Sequence, residues 1–558
     1  MTKKRVVIVG GVAGGATCAA RLRRLDEDAE IVILDRGYYV SFANCGLPYF
    51  VGNVIQQESK LLLASKELFR ERFNIEVRIR NEVIAIDRHS NHVVVREVDS
   101  EREYREPYDA LVLSPGASPI RPPLPGIDLP GIFTLRDLPD SEDIRKWIES
   151  RNAHRAVIVG GGFIGLEMAE NLVHRGLEVT IVEMADQLMP PLDAEMADFV
   201  RRRVAAHTAH LQLGDGVAGF EQAGDGSLVV RTGRGASFGA DLVILAIGVR
   251  PESKLAREAG LEIGERGGIR VDPQMRTSDP RIWAVGDAVE VKNRVIDQWE
   301  LVPLAGPANR QGRIAADVIC GRESSFKGVQ ATAVCGFFGL TVALTGATDK
   351  ALRQAGIGDF ESVYLHPGHH AGYYPDAKPI HLKLVFRRSD GLVLGAQAVG
   401  EDGVARRIDV ISTAIQMGTT VFDLEEAELC YAPQYGSAKD PVNLAGMIAA
   451  NVVRGDADLA PWGELHTAGA FLLDVREVEE LRGGYIDGAV NIPLRQLRAR
   501  MNELPRDREI WVNCRVGHRA YYACRILSQH GFRVCNLSGG YRTYRAWYPE
   551  DRVDHGAT

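Results

Sequence analysis

No uninterrupted apolar run in the 558 residues is long enough to cross a bilayer, so no membrane-spanning helix is expected. The opening MTKKRVVIVGG also lacks the longer apolar segment and small-residue cleavage site of a signal peptide. A cytoplasmic protein is the expectation. Cysteine is sparse: eight residues, at 18, 45, 320, 335, 430, 514, 524 and 535, with no pair at CxxC spacing. That argues against a zinc site, and in a reducing compartment against a disulfide framework. No metal is expected, and each cysteine is either a small buried hydrophobe or a chemical group. Positive charge is in slight deficit, with 66 Lys and Arg against 74 Asp and Glu and a net charge of −8. This disfavours nucleic acid or an anionic membrane as a general partner, while leaving room for a local basic patch that holds a phosphorylated ligand. Lysine stops at Lys439 although arginine continues, a shift in composition that marks a separate C-terminal region.

What is present is a repeated pattern. Val6–Val9 precedes GGVAGG (10–15), a helix-like run ATCAARLRRL follows, and a second strand Ile31–Leu34 ends at Asp35. The pattern recurs with Ala156–Val159, GGGFIG (160–165), LEMAENLVHRG and a strand Val179–Val182 that ends at Glu183. Glycines let the backbone turn sharply and approach a pyrophosphate at a helix N-terminus, and the acid after the second strand can bind a ribose hydroxyl. The candidates are Gly10, Gly11, Ala13, Gly14, Gly15 and Asp35 in the first unit, and Gly160, Gly162, Ile164, Gly165 and Glu183 in the second. Val12 departs from the pattern by standing where the middle glycine usually sits. Two more apolar runs end in glycine, one at Gly116 after Ser114 and one at Gly248, and each could close one dinucleotide domain. Between Met184 and Val200 there is no Lys or Arg, so Glu183 suits a dinucleotide with a free ribose 2′-hydroxyl over one with a 2′-phosphate. The length suggests roughly three or four domains.

The order GGVAGG, Asp35, SPGA, GGGFIG, Glu183, AIGVRP, AVGDA resembles the two-dinucleotide flavoprotein disulfide reductases over residues 1–325. The resemblance implies an α/β protein with two Rossmann-like dinucleotide-binding domains, FAD in the first and NAD(H) in the second. They would occupy 1–115 with 251–325, and 116–250. It implies that Asp287 holds the flavin ribityl chain and that the helix starting near Ala305 points its N-terminus at the flavin, where its dipole would favour the anionic reduced ring. Arg36, Ser114, Gly116, Pro303 and Ala305 complete the implied FAD site, and Gly248 the NAD site. Residues 326–450 would form an α+β dimerisation domain that completes the partner's active site in a homodimer. A linker at 451–462 would lead to a C-terminal α/β domain at 463–552, where FLLDVRE, GGYIDGAVNIP, CRVGHR and LSGGY resemble a rhodanese domain. Consecutive loop amides could cradle a persulfide on Cys514, with Arg519 adding charge. Tyr485 departs from that pattern, at a position not expected to be catalytic.

The segment SFANCGLPY isolates Cys45. Disulfide reductases of this family use two cysteines separated by four residues, but Gly46–Phe50 supplies no second sulfur. A lone thiol beside a flavin could form a mixed disulfide with a small thiol, cycle through sulfenic acid, or be structural. NCGLPY, HHAGYYPD (369–376) and CYAPQYGSAKD (430–440) resemble coenzyme A-disulfide reductases. Related peroxidases place a histidine in the first glycine loop, where this chain has Ala13. The resemblance implies that Tyr373 and Tyr431 reach Cys45 of the other subunit and that Lys439 faces a coenzyme A phosphate. Thr17, Arg21, Arg24, Ser41 and Asn44 fall where that family contacts coenzyme A, with Arg72 a looser candidate. Helix termini and the flavin are expected to lower the Cys45 pKa. Nearly the whole chain resembles coenzyme A-disulfide reductase–rhodanese fusions. The implied activity is NADH-dependent reduction of a coenzyme A persulfide or disulfide. Two alternatives stay open: an NADH oxidase or peroxidase working through Cys45 sulfenic acid, and a sulfurtransferase with a regulatory flavoprotein half.

Overall fold

The computed structural model describes residues 3–550; the expected domain end at 552 lies outside the described residues. The chain divides into two compact units, one of residues up to 186 with 208–329 and one of 187–207 with 330 onward.

In the first unit two five-stranded parallel sheets carry the two glycine patterns. One runs in the order Ile282–Ala284, Ala110–Leu113, Arg5–Val9, Glu30–Asp35, Glu76–Ile79. The other runs His210–Gln212, Glu178–Val182, Arg155–Val159, Leu242–Leu245, Ile132–Phe133. Both faces of these strands are covered, which is why they read as unbroken Val/Ile/Leu runs and not as alternating ones; Val6–Val9 and Ile31–Leu34 are all buried. In each sheet the glycine-loop strand is central, so its C-terminal end and the helix that follows open onto the crevice where such folds take ligands. Antiparallel three-stranded sheets, built on Asn81–Asp87 and Val217–Gln222, flank the two sheets in sequence.

The second unit holds a five-stranded antiparallel sheet in the order Ala333–Phe337, Leu340–Gly346, Val393–Gly400, Ile380–Phe386, Glu361–Leu365. All eight residues of its central strand Val393–Gly400 are buried, with the helix Val404–Met417 against one side. A four-stranded parallel sheet follows, ordered Val490–Asn491, Phe471–Asp474, Ile510–Asn513, Val534–Asn536. The helix Pro441–Val453 leads toward it, and Leu459 already bridges to Asn536. Both sheets belong to the second compact unit. Among the described residues no helix is long and apolar enough to cross a membrane.

Candidate functional site

The first glycine loop is shaped by backbone needs. Gly10 takes φ +91°, and its amide donates to the Leu34 carbonyl at 2.9 Å. A Cβ on Gly15 would collide with the Gly10 carbonyl, so only glycine lets the helix Ala13–Leu25 start this close to the strand. Asp35 accepts the Gly11 and Gly37 amides, each at 2.8 Å. Burial raises its pKa against the pull of those amides and of Arg36 and Arg136. Arg36 is exposed and pairs with Glu252 at 3.2 Å. Ser114 follows the strand Ala110–Leu113, and its amide donates to the Val9 carbonyl at 2.8 Å. Pro303 and Ala305 lie exposed where the helix Ala305–Ile319 begins, with no side-chain cap.

Asp287 is the clearest sign that this unit is built around another molecule. Burial alone pushes its carboxyl above the usual range, and among the described residues no donor offsets that cost. A polyhydroxylated chain such as the ribityl of FAD would supply the missing hydrogen bonds. The turn is fixed by Gln311, whose Oε1 accepts the Gly286 amide at 2.7 Å; Gln311 is itself buried. In the second loop, Gly161 donates to Glu183 Oε2 at 2.6 Å and Ala185 to Oε1 at 2.8 Å. The carboxylate keeps unused lone pairs for a ribose hydroxyl. A Cβ on Gly162 would meet nothing within 4 Å, so space lies open at the position where a pyrophosphate would approach. Ile164 is exposed two residues further on, and Gly248 has φ +108°. Both loops fit dinucleotides.

Cys45 lies in a 3-10 turn, Asn44–Gly46, that leads into the helix Leu47–Val51. The segment is pinned to the first glycine loop by the Ser41 amide, which donates to the Gly11 carbonyl at 2.8 Å. Ser41 itself holds φ +52°. Cys45 is exposed, but protein crowds the thiol. Burial first, then the Glu167 and Asp287 carboxylates, raise its pKa. The expected lowering rests on the flavin and the helix termini, and the protein's own carboxylates work against it. Glu167, two residues beyond GGGFIG, also accepts from Tyr49 Oη at 3.3 Å.

The residues expected at coenzyme A divide by commitment. Thr17 hydrogen-bonds Asn309, and Arg21 is held by Asp317 at 2.8 Å. Arg24, Asn44, Arg72 and Lys439 are exposed. In the second unit Tyr373 and Tyr431 share a hydrogen bond at 2.6 Å between their hydroxyls while 75% and 49% exposed. That bond raises the Tyr373 pKa. Buried Arg407 braces both loops, donating to the His369 carbonyl at 2.7 Å and to Asp440 at 2.8 Å.

Cys514 follows the strand Ile510–Asn513 directly and is fully buried at the start of the loop that leads to the helix His518–Ser528. Arg519 makes a two-pronged ion pair with Glu480 at 2.6 and 2.7 Å. Its charge is therefore largely spent on that carboxylate, which it holds down at about 2.

Comparison with known proteins matches the family profile "Pyridine nucleotide-disulphide oxidoreductase" to residues 4–312, that family's dimerisation domain to 332–440 and a rhodanese-like domain to 462–546. A protein of Staphylococcus haemolyticus named coenzyme A disulfide reductase is 35% identical over 444 residues, 79% of this chain and 98% of that one. The crystal structure of reduced Bacillus anthracis CoADR-RHD is 47% identical, covers 99% of both chains and superposes with a TM-score of 0.96. A NAD-dependent persulfide reductase from A. fulgidus is 37% identical over 97% of this chain and 100% of that one, with a TM-score of 0.90.

Proposed function

The chain belongs to the pyridine nucleotide-disulphide oxidoreductase family, and from that premise we propose an NADH-dependent reductase of coenzyme A persulfide and coenzyme A disulfide that works through one cysteine. The observation that carries the reading is the isolation of Cys45. Its turn is exposed and offers no second sulfur, while Cys18, in the same unit, is fully buried with its thiol pushed far up. The substrate's own sulfur then serves as the missing partner. The Cys45 thiolate attacks the carbon-bound sulfur of coenzyme A persulfide. The S–S bond breaks, hydrosulfide leaves with the electron pair, and Cys45 and coenzyme A share a mixed disulfide. FAD, when bound, supplies the two electrons taken from NADH that split this disulfide into two thiolates.

The chain's residues have separate tasks in this scheme. Arg24, Arg72 and Lys439, exposed and cationic, suit the phosphates of coenzyme A, with Thr17, Arg21, Ser41 and Asn44 around the arm. The phenols of Tyr373 and Tyr431 of the partner subunit hydrogen-bond the leaving thiolate, in a homodimer. They also offset the groups that raise the Cys45 pKa. Cys514 loads or unloads sulfane sulfur in the rhodanese domain.

Anaerobic NADH oxidation with coenzyme A persulfide, coenzyme A disulfide or no acceptor tests the reading. Fast persulfide turnover with sulfide release and little turnover on later admission of air is expected. Turnover on oxygen alone, indifferent to coenzyme A substrates, would contradict it in favour of an oxidase. Cofactor choice has its own test. Glu183→Ser removes a charged acceptor, so kcat/KM for NADH is expected to fall about 10- to 100-fold, from the about 1.5–3 kcal/mol of such a bond. The value for NADPH should hold or rise. Equal losses for both nucleotides would mean that Glu183 only shapes the loop.

A further inference from the structure

The loop that carries Cys514 rests on the turn Ser538–Gly539 and the first residues of the helix Gly540–Trp547. The Tyr541 amide donates to the Cys514 carbonyl at 2.7 Å, and the Arg542 amide to the Arg515 carbonyl at 3.2 Å. A Cβ added to Gly540 would lie 2.8 and 2.9 Å from the Gly517 and Val516 nitrogens, so turn and loop touch backbone to backbone. The other side of the turn is held by the edge strand Glu361–Leu365 and the residue after it. Ser538 Oγ accepts the Tyr364 amide at 2.9 Å, and Thr543 Oγ1 lies 2.9 Å from His366 Nε2. A Cβ on Gly539 would fall 2.7 Å from Tyr364 Cβ and 3.1 Å from His366 Nε2. His366 is steadied in turn: its Nδ1 lies 2.9 Å from Nδ1 of His381, whose ring stacks on Phe199 at 3.9 Å. Thr543 and His366 are both buried.

We infer that His366 and Thr543 are positioning residues for sulfur transfer at Cys514: the sheet edge holds the turn, and the turn holds the backbone of the Cys514 loop in register around the sulfur. The inference rests on the reading of Cys514 as a sulfur carrier. With thiosulfate as probe, the Cys514 thiolate attacks the outer sulfur, the S–S bond breaks, and sulfite leaves with the electron pair. Cyanide then removes the outer sulfur of the resulting persulfide as thiocyanate and restores the thiolate. Nothing in this sequence needs His366 or Thr543 as an acid or base. Their effect should therefore appear in the rate of transfer and not in donor binding.

The test uses the full-length holoenzyme, thiosulfate and cyanide. Thr543→Val keeps the volume and removes the hydroxyl. It is expected to lower kcat for thiocyanate formation about five- to tenfold, the size of one lost buried hydrogen bond, with KM for thiosulfate little changed. Thr543→Ser, which keeps the hydroxyl, should recover most of the loss. NADH oxidation with coenzyme A persulfide should stay within about twofold of wild type in both variants, since Cys45 chemistry is untouched. Wild-type kcat in the Val variant, an equal loss in the Ser variant, or a change confined to KM would overturn the inference. Wild-type enzyme that forms no thiocyanate, or a Cys514→Ser variant that forms it undiminished, would overturn the sulfur-carrier reading instead.

Discussion

Replacing Cys45 by serine is expected to lower NADH-dependent reduction of coenzyme A persulfide on the order of a thousandfold or more, because the nucleophile and the redox partner are lost together. Thiocyanate formation at Cys514 should stay near its wild-type rate. Cys18 is fully buried, and burial raises its thiol well beyond reach. Cys320 is half-buried and is also raised by burial, with Asp26 and Asp317 adding to the shift. Neither can replace a sulfur that sits in an exposed turn tied to the first glycine loop. Serine preserves the turn, whose tightest point is Gly46 packed against Leu61, so the loss should come with intact FAD absorbance. Undiminished turnover with bound FAD would move the reduction away from Cys45 altogether.

Lys383→Met is expected to destabilise the second unit by about 3–5 kcal/mol, the usual cost of leaving partners of a buried charge uncompensated. Lys383 is 1% exposed and touches Asp193 at 2.8 Å, Glu195 at 2.6 Å and Asp349 at 3.1 Å. Burial works against its charge, but Tyr364 and the three carboxylates more than compensate and raise its pKa well above 10.5. Burial likewise works against ionised Asp193, which Lys383 above all holds below the usual range. The cluster fastens the helix Ala194–Ala205 and the sheet together.

The pH dependence should flatten in this variant. In the wild type, burial lowers His366 well below 6.5 and His381 to about 3, with Arg542 facing both and Arg202 facing His381 as well. The unfolded chain therefore takes up protons that the folded one refuses. Stability is full above the ordinary imidazole value and falls as pH drops below about 6.5, by up to about 1.4 kcal/mol per unit per histidine. In Lys383→Met the stranded carboxylates should titrate higher, so acid relieves them and offsets part of the histidine loss as pH falls from neutrality toward 5. Amide hydrogen exchange in Glu361–Leu365 and Ile380–Phe386, followed between pH 7 and 5, reads both slopes. Parallel slopes in the two proteins would contradict the assignment of Lys383 as the compensating charge.

Much of the fold was legible because its signals are local. Val6–Val9, GGVAGG and Asp35 sit within thirty-odd residues, and parallel strands buried on both faces announce themselves as apolar runs. The helix-like run ATCAARLRRL lies in the helix Ala13–Leu25, and the strand Ile31–Leu34 lies in Glu30–Asp35. What the sequence hid are pairings between distant residues. Gln311 on the Gly286 amide, Arg407 between His369 and Asp440, and Thr543 on His366 each join parts of the chain with no pattern to link them. Glu167 was hidden in the same way: it reads as a helix-surface acid, and only folding brings its charge to Cys45. Arg519 was visible as a charge, but not its neutralisation by Glu480, a residue of the loop after the strand Phe471–Asp474.

The most direct test of the central claim is the mass of the peptide carrying Cys45, taken from enzyme mixed anaerobically with coenzyme A persulfide and quenched in acid before NADH is added. A single cysteine that borrows its partner from the substrate predicts a gain equal to coenzyme A joined through a disulfide, reversed by NADH and absent in Cys45→Ser. An unmodified peptide, or one that gains only oxygen when exposed to peroxide or air, would contradict the account and return Cys45 to sulfenic acid chemistry.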